Sequence, residues 1–430
     1  MRTTSRNFLS PSLSILLVPA LLCFAGEFSK TKAFNREWFD DDEHDEAPSI
    51  AMDDMGNCVA VWQAWESPND DNYNIFVSHS SDGGRTWSSK TALTQNDGAL
   101  DEINLNQTPS IATDGHGTWL SVWQYLGPHQ EANGSGFNVF AARSTDGGAS
   151  WSRPKKVNTD RLTPSTREEP WIASDEHGNW MCVWIGAHEI DFDYFIGVYF
   201  SLSSDKGRTW SDPMLIGVND FPEMPKVASS GNGNWMITWM HELDEGNAIA
   251  YSVSENNGTT WTTPKDLTSD ADIVECLNYS IASDYAGKWM LVVDGASESS
   301  IDIYETHSTD NATTWSVPGR ISVSNENGAR SNEYPVVATN RMGSWIVMWQ
   351  RFSGIWDNIV VIRESNEDFS AWGAIKPARH HDKPRFDYKW ATALAANRSD
   401  RWIAVWEWTH PDAWDRDLCF ATRDPSEKTP

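Results

Sequence analysis

One phrase recurs seven times along the 430-residue chain, beginning at residues 49, 110, 171, 226, 280, 336 and 393. The copies read SIAMDDMGNCVAVW, SIATDGHGTWLSVW, WIASDEHGNWMCVW, KVASSGNGNWMITW, SIASDYAGKWMLVV, VVATNRMGSWIVMW and ALAANRSDRWIAVW. A period of 54 to 61 residues signals a repeat architecture, in which one unit cannot bury its apolar face alone and neighbours must stack. Each copy is an apolar strand, a polar turn carrying Gly or Asp, and a second alternating strand that ends on Trp in all copies but the fifth. This repetition accounts for much of a tryptophan content of 25 residues. Cys58 stands where Trp119, Trp180, Trp235, Trp289, Trp345 and Trp402 stand in the other copies, so it is expected to be a packed core thiol.

A second phrase follows most copies about twenty residues on: SSDGGRTW (80 to 87), STDGGASW (144 to 151), SSDKGRTW (203 to 210), SENNGTTW (254 to 261) and STDNATTW (308 to 315), with a decayed SNEDFSAW at 365 to 372. The spacing Ser-x-Asp-x-Gly-x-Thr-Trp resembles the Asp-box of the sialidase-like, bacterial neuraminidase repeat proteins, and the likeness runs through nearly all of the chain after its first segment. Its physics is that of a hairpin turn: Asp accepts bonds from turn amides, Gly supplies a positive-φ position, and Trp packs beneath. The box is therefore expected to be structural.

Two strands in the first phrase, one before the box and one after it make four per repeat, the content of a propeller blade. The expectation is an all-β, seven-bladed β-propeller of four-stranded blades; the six blades of typical sialidases are the alternative. The seventh repeat stops after DLCFATRD (417 to 424), short of a fourth strand. Residues from roughly Thr31 to Phe39 are expected to supply it, closing the ring with an N-terminal strand.

Residues 1-25 carry Arg2 and Arg6, an apolar run from Phe8 to Ala25 and no acid, which reads as a signal peptide or, alternatively, an N-terminal anchor. The propeller then spans 26-430, and the protein is expected to be secreted, periplasmic or displayed at the cell surface. Five scattered cysteines form neither a CxxC pair nor a disulfide framework. With 33 basic and 61 acidic residues, the formal net charge is −28. Such a surface repels phosphate backbones and anionic headgroups, excluding nucleic acid, and membrane beyond the N-terminal signal, as first-choice partners. A monomer is expected.

Ligand sites in propellers gather where the innermost strands converge, on the face away from the boxes. Five residues before the aligned Ala of each first strand stand Glu46, Gln107, Glu168, Glu223, Leu277, Glu333 and Trp390. Four glutamates in equivalent slots form an acidic ring suited to sugar hydroxyls, acid/base chemistry or a cation; an equal alternative is that each bonds a neighbouring blade. No nucleotide or redox cofactor is indicated, a cation at the acidic channel mouth is the one that the pattern admits, and His188-Glu189 and His241-Glu242 lack the HExxH spacing of a metal site.

The resemblance implies three arginines for a sialic-acid carboxylate, a Tyr nucleophile activated by Glu, and an acid/base Asp. Arg167, Arg330 and Arg385 precede first strands and are the candidate anion clamp. Tyr334 and Tyr388 are the candidate nucleophiles, with Glu168, Glu223 or Glu333 as the carboxylate partner. Trp65, Trp356, Trp408 and Trp414 fall in predicted loops on the binding face and, with Trp390, are candidates for stacking on sugar rings. Three functions remain open: a glycan-directed protein that binds or hydrolyses saccharides or glycoproteins through channel-mouth carboxylates, an active exo-α-sialidase, and a non-catalytic interaction or adhesion platform.

Overall fold

The computed structural model describes residues 28–34, 44–65, 72–94, 104–127, 136–159, 165–190, 193–217, 221–244, 246–268, 273, 275–296, 300–323, 331–352, 358–378, 392–409 and 416–425. The proposed signal peptide lies outside them. They form 28 strands and no helix. After β1 (Lys32–Ala33), six units of four strands follow in chain order. Unit one is β2 (His44–Met52), β3 (Cys58–Trp65), β4 (Tyr73–Ser80) and β5 (Thr91–Ala92). Unit two is β6 (Leu105–Thr113), β7 (Trp119–Leu126), β8 (Asn138–Ser144) and β9 (Lys155–Lys156). Unit three is β10 (Ser165–Ser174), β11 (Trp180–Ile190), β12 (Asp193–Ser203) and β13 (Met214–Gly217). Unit four is β14 (Glu223–Gly231), β15 (Asn234–Glu242), β16 (Asn247–Ser254) and β17 (Lys265–Asp266). Unit five is β18 (Glu275–Ser283), β19 (Trp289–Ala296), β20 (Ile301–Ser308) and β21 (Gly319–Arg320). Unit six is β22 (Ser331–Thr339), β23 (Trp345–Phe352), β24 (Asn358–Ser365) and β25 (Lys376–Pro377).

The seventh unit has three strands in sequence, β26 (Thr392–Ala396), β27 (Trp402–Thr409) and β28 (Arg416–Arg423). Its fourth is β1, which pairs antiparallel with β28 through Lys32↔Phe420 and Ala33↔Cys419. First strands of successive units pack on one another in chain order, and β26 packs on β2. A parallel contact also joins the last unit to the first, His44↔Arg416.

The core is layered between units. Seven apolar clusters each join neighbouring units, including one that unites Ile403, Val405 and Phe420 with Ile50, Ala60 and Trp62. The largest fully buried side chains are the tryptophans of the repeated phrase, from Trp62 to Trp406. The two tryptophans of a second strand, four residues apart, share one face and fill the layer toward the preceding unit, while smaller apolar residues of the other face, Leu120 and Val122 in β7, fill the next layer, so adjacent units stack. Cys58 is fully buried in its Trp slot, and burial pushes its thiol up.

The box is a turn lock. In the first copy Asp82 Oδ1 accepts the Thr86 N–H (2.9 Å), Oδ2 accepts the Thr86 hydroxyl (2.6 Å), and the Trp87 indole donates to Gly84 O (3.1 Å). Gly84 has φ of 81°, and a Cβ there would sit 2.6 Å from Ile403 Cδ1 of the previous unit, so glycine is needed twice over. The turn within the first phrase lies beside the box turn, Gly83 N–H donating to Gly56 O (2.9 Å). At this end, turns from five units meet. Glu176 pairs with Arg341 and with Arg398 (2.9 Å), Arg398 reaches Asp54, and the Arg341 guanidinium lies 4.2 Å over the Tyr285 ring.

Candidate functional site

At the opposite end, five first strands open on the same distortion. Ala47, Thr108, Glu169, Met224 and Tyr334 have φ between 49° and 57°, and each is followed by proline. Proline cannot donate to the ladder, so pairing skips both residues and leaves a bulge. The freed N–H is claimed by an acceptor from the preceding unit. Ala47 donates to Glu407 Oε1 (2.7 Å), Thr108 to Gln63 Oε1 (2.8 Å), Glu169 to Gln124 Oε1 (2.9 Å), Met224 to Glu169 Oε2 (2.6 Å) and Tyr334 to Asp294 Oδ2 (2.9 Å). Gln63, Gln124, Asp294 and Glu407 share one slot, immediately after the phrase.

These clips gather two acidic clusters. In units three to five, Glu169 stays solvent-accessible, yet desolvation by the surrounding protein raises its pKa, with Glu223 and Glu168 adding to the rise and the Met224 N–H and Lys226 opposing it. The Lys226 ammonium lies 4.0 Å from the Trp171 ring centre and 5.3 Å from that of Tyr279. Desolvation pulls its pKa down to about 8 against the attraction of Glu169. The Tyr279 hydroxyl donates to Met224 O (2.6 Å) and fixes this wall.

The second cluster spans units five to seven and unit one. Burial lifts Asp294 to about 6, with Glu333 contributing, although Asp294 accepts from the N–H groups of Asn278 and Tyr334. Burial lifts Glu407 to about 7, with Glu46 contributing. Its Oε1 takes the Ala47 N–H, while its Oε2 has no hydrogen-bond partner among the described residues. The Tyr334 phenol is raised by burial, then by Glu333, Asp294 and Glu407. Neighbouring carboxylates pushed to different pKa values are the raw material of acid/base catalysis.

Of the residues expected from sequence, Glu168 and Glu223 meet in the first cluster, and Glu333 and Tyr334 in the second. Glu46 binds neighbours, taking the Arg416 guanidinium on Oε1 (2.6 Å) and the Gln63 amide on Oε2 (3.2 Å). Arg167 is buried in β10, in the slot where Asp45, Asn106 and Asn332 accept the indole N–H of Trp62, Trp123 and Trp349. Two expected loop indoles are in strands instead. Trp65 ends β3, half-buried against His44 and Tyr73, and Trp408 lies within β27, only 8% exposed in the layer between units six and seven. Second strands run past the phrase, and an indole beyond it covers the unit's edge rather than facing solvent. Arg330, Arg385, Trp356, Tyr388, Trp390 and Trp414 lie outside the described residues. Glu169, Lys226, Asp294 and Glu407 were missed, although the slot after the phrase and the X-Pro dipeptide mark three of them. Among the described residues, no three His, Cys, Asp or Glu side chains converge as a metal cluster.

Repeated four-stranded units with Asp-box turns and a carboxylate-rich opposite end define an Asp-box repeat protein of the sialidase-like class. The chain belongs to the BNR repeat-like domain family, whose description matches residues 56–266 and 117–396. No curated protein matches it. Among solved structures it is similar to the PL25 ulvan lyase bound to -[GlcA(1-4)Rha3S]- (TM-score 0.57, 10% identity, 88% of this chain and 93% of that one). A protein of unknown function from Dyadobacter fermentans is comparable (TM-score 0.54, 11% identity, 93% of this chain and 98% of that one). The Hadza microbial sialidase Hz136 is 18% identical over 72% of this chain, with a TM-score of 0.49, and this chain covers 64% of its length.

Proposed function

We propose that the seven units form a closed seven-bladed β-propeller that is exported through its N-terminal segment and acts on glycans at the channel mouth by glycoside hydrolysis. Packing of β26 on β2, the pairing of β1 with β28 and the meeting of five turns around Glu176 support closure. The observation that carries the activity is the meeting of Glu168, Glu169 and Glu223 at one wall, where desolvation first, and then Glu223 and Glu168, raise Glu169 against the pull of Lys226. In this reading Glu169 holds the proton that the leaving glycosidic oxygen takes. Glu223, exposed beside it, acts as base or nucleophile at the sugar carbon. Trp171 and Tyr279 form the wall, and Lys226, stacked on both rings, offsets the charge of Glu169.

The test is hydrolysis of a panel of fluorogenic glycosides, a sialoside included, across pH. Turnover that falls by about a hundredfold or more in Glu169→Gln and in Glu223→Gln, with folding retained, supports the reading. Sialoside turnover that instead depends on Arg330 selects an exo-α-sialidase. No turnover of any member, with glycan or protein binding retained, selects the interaction platform.

A further inference from the structure

Between units one and two, in their outer half, lies a cavity of about 1060 Å³. Its origin is a single slot on the third strand of each unit. Phe200, Tyr251 and Phe420 pair with Val183, Thr238 and Val405 of their second strands. Each packs on the next unit's box tryptophan, with ring centres 5.3 Å apart for Phe200–Trp261, 5.9 Å for Tyr251–Trp315 and 5.8 Å for Phe420–Trp87. The same slot holds Val77 in unit one and Ala141 in unit two. Ala141 leaves a smaller space of about 270 Å³, and Val77 leaves the large one, with Trp151 in its wall.

The walls are chemically unlike the rest of the surface. Although 61 of 430 residues are acidic, none of the described residues that line this cavity is, while Arg153, Lys156 and His79 do line it. Arg153 is exposed and has no carboxylate partner among the described residues. Tyr125 and Phe140 meet edge to face at 5.2 Å on one side. The Trp151 indole is held by Gly148 O (2.9 Å), which fixes its plane. A fixed aromatic plane and an exposed guanidinium, among described lining residues of which none is acidic, suit a sugar ring that carries an anionic group: the ring stacks, and the guanidinium takes the carboxylate in bidentate fashion. The volume is at the upper end for small-ligand sites and has room for more than one sugar unit.

We infer that the cleft between units one and two is a second saccharide site, separate from the channel mouth, and that it takes acidic oligosaccharides of the uronate type. It shares with the proposed function only the glycan class of the ligand, because binding here requires no turnover at the mouth.

Calorimetric titration of the full chain with trigalacturonate, and with neutral maltotriose as control, tests it. Saturable binding of trigalacturonate is expected, with maltotriose at least tenfold weaker. Val77→Phe places in unit one the aromatic that units three, four and seven carry in this slot and fills the cleft; it should abolish binding while leaving glycoside turnover at the mouth and the melting temperature undiminished. Arg153→Ala, on the surface, should weaken binding about tenfold without touching the fold. Glu223→Gln should leave the titration unchanged even where it abolishes turnover, so the two sites fail independently. Absence of saturable binding by trigalacturonate, equal affinity for maltotriose, or unchanged binding in a folded Val77→Phe protein overturns the inference.

Discussion

Replacing Glu407 by Gln should stabilise the protein, and only above mildly acidic pH. Glu407 is 3% exposed, and burial raises its pKa to about 7 from an ordinary value of 4.5. A raised folded-state pKa means that the folded chain binds more protons than the unfolded one between those two values. The stability associated with the protonated acid is therefore complete below about 4.5 and lost as pH rises through 7. A shift of that size corresponds to about 3 kcal/mol at pH 8 and above. Glutamine keeps an oxygen to accept the Ala47 N–H, as Gln63 and Gln124 do for Thr108 and Glu169, and carries no charge to desolvate. The Arg416–Glu46 pair beside it remains. Urea denaturation of both proteins at pH 4.5, 6 and 8.5 reads the difference directly. The expected gap opens between pH 4.5 and 7 and stays level above. A gap of the same size at every pH, or a variant less stable than the parent at pH 8.5, refutes the assignment of a buried, neutral-favouring acid at this clip.

Glu176→Gln should lower stability by about 2 kcal/mol, because it strips the carboxylate from Arg341 and Arg398 where five turns meet; thermal melts at low and high salt would show the loss, and an unchanged melting temperature would remove this network from the stability account. Ala312 occupies the glycine slot of the fifth box, with φ of 64°, and is buried. Ala312→Gly should relieve that strain and gain about 1 kcal/mol in the same denaturation assay, whereas Gly148→Ala, whose added Cβ would meet Val59 Cγ2 at 2.6 Å, should lose at least as much. Cys58, Cys182 and Cys276 are free and buried, so a colourimetric thiol reagent should modify them only after denaturation.

The period, the turn chemistry and the strand count were legible in the chain because each is local. A Ser-x-Asp-x-Gly-x-Thr-Trp turn satisfies its own backbone amides, and alternating strands carry their apolar face in sequence, so seven four-stranded units and a borrowed strand near Thr31 could be expected from neighbouring residues alone. The slot of Glu46, Glu168, Glu223 and Glu333 was legible for the same reason. What each glutamate does was not. Glu46 is tied up by Arg416, 370 positions away in sequence, while Glu168 and Glu223 are left crowding Glu169. The identity of the clip acceptors was likewise undecided, since a bulge N–H turned out of one unit can be claimed only by whatever the previous unit presents. From sequence Trp65 and Trp408 read as loop indoles of the binding face and Trp151 as a box residue packed beneath its turn. Whether such an indole is buried or lines a cleft depends on the partner it meets across the interface, Phe420 for Trp87 but Val77's open slot for Trp151. Sequence by itself determined the units; desolvation and cross-unit contacts, which exist only once those units stack, decided which acids hold protons and which aromatic faces remain available.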